Sequence, residues 1–134
     1  MNLLLDTHIL IWALFQDWNL SKAAKTLLED VSNNLYYSLF SILEIELKHL
    51  SRPDAMPFSG DQVLAYCYQA GFSPLYFKES HILQLKNLKR KTGTAPHKDP
   101  FDKIMLCQAM AEDMLFVTHD YKLAGYDTDC IRHV

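Results

Sequence analysis

The chain has 134 residues, 49% of them hydrophobic and 22% charged, and a formal net charge of -3. That length buries one core but not two, and the balance excludes a largely disordered protein. No apolar run approaches the ~20 residues that span a bilayer and no basic, cleavable leader opens the sequence, so one domain over residues 1–134, in the cytoplasm, is expected.

In chain order, apolar runs predict strands at Asn2–Asp6 (N-L-L-L-D), Leu35–Ser38, Pro74–Phe77, Leu115–Thr118 (L-F-V-T) and Cys130–His133. Helical patterns lie between them at His8–Phe15, Ser21–Asp30, Leu39–Leu50, Gly60–Ala70, Glu79–Arg90 and Pro100–Glu112. Ser21 suits a helix N-cap, and Asp99 followed by Pro100 pairs an N-cap with proline at the first helical position. Strands without strict alternation are covered on both faces, which predicts an α/β fold with a mostly parallel sheet between helical layers. The last helix is apolar nearly all round and should pack against that sheet. In Leu39–Leu50, Leu39, Leu43, Leu47 and Leu50 mark the stripe expected to face the core.

Cys67, Cys107 and Cys130 are odd in number and widely spaced, so they read as reduced core thiols. The six histidines form no H-x-x-x-H pair and join no C-x-x-C, so any metal must be held by carboxylates. The net charge lacks the basic excess usual for nucleic-acid binding. Lys86, Lys89, Arg90, Lys91, His97 and Lys98 nevertheless fall in one stretch, either a local positive patch or a solvated helix end and loop.

Parallel sheets bind ligands at the carboxyl ends of their strands, where Asp6 closes L-L-L-D and Asp120 follows L-F-V-T-H. Either acid could instead cap a following helix. Asp102 lies in a helical first turn, which favours a carboxylate, and Asp99 reads first as that helix's cap. Glu44 and Glu46 share a helix; periodicity leaves the choice open and leans toward Glu46 as the buried acid. Packed carboxylates repel unless a cation neutralises them, and hard oxygen donors suit Mg2+ or Mn2+. Such a site could activate water for phosphodiester cleavage, with one metal or two.

L-L-L-D-T-H at Leu3–His8, S-L-F-S-I-L-E-I-E-L-K at Ser38–Lys48, H-K-D-P-F-D-K-I-M-L-C-Q-A at His97–Ala109 and V-T-H-D at Val117–Asp120 together resemble the ordered motifs of VapC-like PIN domains. The resemblance implies a three-layer α/β/α fold and an Mg2+- or Mn2+-dependent endoribonuclease, the toxin of a type II toxin-antitoxin pair. By position it implies Asp6, Glu44, Asp102 and Asp120 as metal-holding catalytic acids, Asp99 as an accessory acid, and Thr7 and Thr118 as hydroxyls that orient carboxylates or water. It selects Glu44 over Glu46. It also implies an RNA substrate, a cognate antitoxin and a homodimer, with Trp12, Phe15 and Trp18 as either part of a contact surface or aromatic core. Lys103 and His119 stand where the family often has Arg, which leaves a possible cation at each place.

Two rival functions remain open. An aspartyl-phosphate phosphotransfer domain would use Asp6 as nucleophile, but His8 stands where its second Asp belongs. A catalytically inactive PIN-fold binding module would have no need of the four acids, and all four are present.

Overall fold

Leu3, Leu4 and Leu5 are all fully buried, although consecutive strand residues point to opposite faces. Both faces of that strand must therefore be covered. The computed structural model describes residues 1–134 and shows how. Strands β1 (Asn2–Leu5), β2 (Asn34–Ser38), β3 (Ser73–Leu75), β4 (Leu115–Thr118) and β5 (Ile131–His133) form one sheet in the order β3-β2-β1-β4-β5. Every pairing is parallel, with Leu5 opposite Tyr37 on one side and Val117 on the other. The chain winds outward from β1 in one direction and from β4 in the other, so the topological switch lies between these two central strands.

Helices α1 (Thr7–Phe15), α2 (Lys22–Glu29), α3 (Leu39–Ser51), α4 (Gly60–Ala70), α5 (Glu79–Leu83) and α6 (Pro100–Ala111) cover the sheet. Leu3, Leu5 and Val117 meet Ile9 and Leu10 of α1, Ile45 of α3, and Val63 and Cys67 of α4. On the other face Leu4 and Phe116 meet Met105, Leu106 and Ala109 of α6. The result is the expected α/β/α sandwich. Full burial of a Leu or Phe side chain contributes roughly 1.5–3 kcal/mol, so this double-sided core stabilises the central strands whose ends carry Asp6 and Asp120.

Several elements depart from the sequence reading. The helix expected at Glu79–Arg90 ends at Leu83 and continues as a 3-10 turn over Gln84–Asn87. Arg90 has left it to form a backbone bridge with Tyr126. On α3, Leu43, Leu47 and Leu50 are exposed, and Ser41 and Ile45 face the core instead. The helix follows β2 without a loop, and that entry turns the polar Ser41 inward, where its hydroxyl bonds Thr7. Of the three early aromatics, Trp12 and Phe15 pack against the core, Phe15 stacking on Phe58 at 4.1 Å between ring centroids, while Trp18 is 72% exposed. The three cysteines are free, and no helix is long and apolar enough to cross a membrane.

Candidate functional site

The backbone brings four sequence-distant carboxylates to the carboxyl edge of the sheet. Asp6 follows β1, and its backbone N–H extends the sheet by donating to Val117 O at 2.9 Å. Asp6 also caps α1, its Oδ1 accepting from Thr7 N at 2.6 Å. Asp120 stands two residues beyond β4, its Oδ1 accepting from Lys122 N at 2.9 Å and capping a 3-10 turn over Tyr121–Gly125. α6 runs back toward β4 through a short connection, so its first turn, with Asp102, starts at the same edge. β2 passes directly into α3 through Ser38, placing Glu44 in the second turn.

Their charges act on one another. Asp102 is pushed up to about 8, first by burial and then by the charges of Asp6, Asp99, Glu44 and Asp120. Burial also raises Asp6, opposed chiefly by the hydrogen bond from Thr118, with Glu44 among the groups that raise it. Glu44, whose side chain is largely covered, is partly compensated by the exposed Lys48 at 3.1 Å in an i,i+4 pair. Lys103 is paired with none of these acids.

Thr118 is fully buried, and its Oγ1 donates to Asp6 Oδ2 at 2.6 Å. Thr7 differs: its hydroxyl bonds Ser41 Oγ at 2.9 Å, and its backbone N–H is what reaches Asp6. Asp99 caps α6 by accepting from Phe101 N and Asp102 N while adding its charge to Asp102. Glu46 lies elsewhere, with Oε1 at 3.5 Å from Gly60 N, beside the N-terminus of α4. The acids that shift Asp6 and Asp102 include Glu44 and not Glu46.

His97 belongs to this cluster, although the sequence suggested only a member of a basic patch. Its ring is buried, Nε2 lies 3.4 Å from Asp102 Oδ2, and Nδ1 lies 2.9 Å from the Tyr126 hydroxyl. One ligand atom each from His97, Asp102 and Asp120 fall within 4.8 Å of one another. Despite the neighbouring acids His97 is held below the ordinary histidine range, because burial outweighs their attraction for its charge. The useful signal was its place five residues before Asp102, at the head of H-K-D-P-F-D.

Arg90 is likewise committed. Its guanidinium donates to Ala95 O and Lys122 O and lies 4.6 Å over the Tyr126 ring, fastening the segment that carries His97. Lys98 and Lys122 border a cleft of about 360 Å³ with Asp99, Asp102 and Asp120.

The PIN domain profile matches residues 3–128 of the chain. The chain belongs to the PIN domain family. No curated protein sequence matches it. Among solved structures, this PIN domain is similar to a chain in the crystal structure of VapBC2 from Rickettsia felis bound to a DNA fragment from their promoter. That likeness has a TM-score of 0.64 at 14% identity, covering 99% of this chain and 98% of the other. It is also similar to a chain in the structure of VapBC-1 from nontypeable Haemophilus influenzae, with a TM-score of 0.59 at 20% identity, covering 91% and 89%. At such identities the likeness concerns the fold.

The donors suit a hard divalent cation. Burial and the surrounding carboxylates leave Asp102 resisting ionisation, with Lys48 on Glu44 and the lysines at the border of the cleft as the nearby cations, and a metal would relieve it.

Proposed function

We propose that this PIN domain is a divalent-metal-dependent endoribonuclease, cutting RNA phosphodiester bonds as the toxin of a type II toxin-antitoxin pair. The observation that carries the nuclease reading is the meeting of Asp6, Glu44, Asp102 and Asp120, from four separate elements, at the switch point of the sheet, with Asp102 driven up to about 8 by burial first and by the neighbouring acids after it. These four hold Mg2+ or Mn2+, with Asp99 as an accessory acid. A bound ion there supplies Lewis-acid activation and a fixed point for the substrate phosphate.

The chain's own groups set the conditions for that chemistry. Thr118 and the Thr7 N–H hold the Asp6 carboxylate in one orientation and favour its ionised form. His97, itself held by Tyr126, stands with Nε2 3.4 Å from one oxygen of Asp102 and limits where that carboxylate can turn. Lys98 and Lys122 place positive charge beside the acids, where a phosphate must approach an otherwise repulsive edge.

The toxin assignment draws support from the likeness to VapBC structures and from the ordered motifs. It brings with it a cognate antitoxin, a homodimer and a cytoplasmic setting for a single-domain protein. The exposed Leu43, Leu47 and Leu50 on α3 are the surface we assign to such protein contacts, and Trp18, exposed on the turn after α1, is a separate candidate.

Incubating purified protein with a mixed cellular RNA pool, in Mg2+ or Mn2+ and with or without chelator, tests the reading. Metal-dependent cutting is expected. Folded, antitoxin-free protein that cuts nothing with either metal would leave a binding module instead.

A further inference from the structure

Asp120 borders a second cleft, of about 250 Å³, whose other lining residues are Asp6, His8, Trp12 and His119. Its rim is aromatic. The Trp12 ring lies 5.9 Å from His8 and 5.5 Å, edge-on, from His119. His119 is in turn 5.7 Å from His133 and inclined to it by only 23°, and Tyr121 packs on His133 at 4.1 Å.

The two histidine rings at the centre of the row are held in place. His119 Nδ1 donates to Val134 O at 2.6 Å, and His133 Nε2 donates to His119 O at 3.0 Å. Both imidazoles are thereby locked by backbone carbonyls at the ends of β4 and β5. Tyr121 rests on this support and remains 75% exposed, so it presents a largely uncovered ring. An aromatic ring resting on a fixed imidazole pair costs little further conformational entropy when something stacks on it. The metal-holding chemistry uses none of these rings, yet Trp12 and His119 line the cleft with two of its carboxylates, and Tyr121 and His133 continue the row outward from His119.

We infer that Tyr121, with His133, His119 and Trp12 behind it, is a stacking platform for an unpaired nucleobase of the RNA beside the cleaved phosphate. This rests on the nuclease reading for the identity of the strand. The chemistry is selective in kind: every base has a π-face to offer, and only a single strand can turn that face away from its own neighbours. The platform therefore favours single-stranded substrate without fixing a sequence.

Trp12 and Trp18 are the only tryptophans, so a Trp18→Phe protein leaves Trp12 as the reporter. The probe is a short RNA of alternating uridine and cytidine, which cannot pair with itself, compared with an abasic ribose-phosphate chain of equal length. Binding is read by stopped flow in Mg2+ before turnover. The RNA should quench Trp12 emission and the abasic chain should not. Tyr121→Ala should weaken the RNA about tenfold, leave the abasic chain within about twofold, and be rescued by Tyr121→Phe. Equal quenching by both probes, unchanged RNA affinity in Tyr121→Ala, or no RNA binding at all would overturn the platform. If the platform effects appear but RNA is never cut, the nuclease reading fails alone; if RNA is cut and Tyr121→Ala binds normally, the platform fails alone.

Discussion

Thr118 Oγ1 donates a 2.6 Å hydrogen bond to Asp6 Oδ2 and accepts one of 3.0 Å from Asp120 N. A single buried hydroxyl thus couples the acids that follow the two central strands. Thr118→Val keeps the volume but leaves both partners short of a bond, at a cost of about 1–3 kcal/mol in denaturant unfolding. Mn2+ affinity measured by calorimetry should weaken about tenfold, because Asp6 loses the contact that most favours its charge.

Metal-free stability should depend on pH with a definite sign. Asp102 is at about 8 in the folded protein and has an ordinary value of 3.8, so between these pH values the folded state holds a proton that the unfolded state has released. Its contribution is fully present below about pH 4 and is lost as pH rises through about 8. His97, held low, acts in the opposite sense below its ordinary 6.5, so the clearest window lies above that pH. Thermal unfolding in chelator should show stability falling from pH 6.5 to 8, with saturating Mg2+ flattening the slope. Asp102→Asn should remove most of the slope; a variant that keeps it whole would refute this origin.

Glu44 and Glu46 should separate cleanly. Glu44→Gln removes a charge that acts on both Asp6 and Asp102, and should cut cleavage on the order of a hundredfold with little change in folding. Glu46→Gln touches only the start of α4 and should cost at most about 1 kcal/mol of stability, with cleavage unaltered. The reverse pattern would mean the wrong glutamate has been assigned.

Tyr126→Phe removes the hydroxyl that orients His97 and should lower metal affinity severalfold while costing about 1 kcal/mol of stability. His97→Ala should lower metal affinity further. If neither changes metal binding, His97 is a packing residue and the tie to Asp102 has no functional weight.

Much of the architecture was legible because local signals agreed. Leu3–Leu5 and Leu115–Val117 lack alternation because both faces are covered, and Asp99-Pro100 announces the start of α6 at the observed residue. On α3, Leu39 packs against the core as expected but Leu43, Leu47 and Leu50 misled, since an apolar stripe signals burial without saying what supplies it. Arg90 was read as the end of a helix. It instead leaves the helix because its guanidinium is taken by Lys122 O and the Tyr126 ring, contacts some thirty residues away that no local pattern contains. Gly125 makes the approach possible, since a Cβ there would overlap that guanidinium. Within the site, the strand-end acids were visible from position alone, whereas the choice between Glu44 and Glu46 needed the family resemblance. The join of His97 to Asp102 and the row of rings from Trp12 to His133 depend on chain crossings that only the fold reveals.

Cleavage of a single-stranded RNA measured against Mn2+ concentration, for the wild-type protein and Asp6→Asn in parallel, tests the central claim most directly. The account predicts saturable, chelator-reversible cutting that is lost in a variant that remains folded. Cutting that survives chelator, or that Asp6→Asn retains in full, would contradict it.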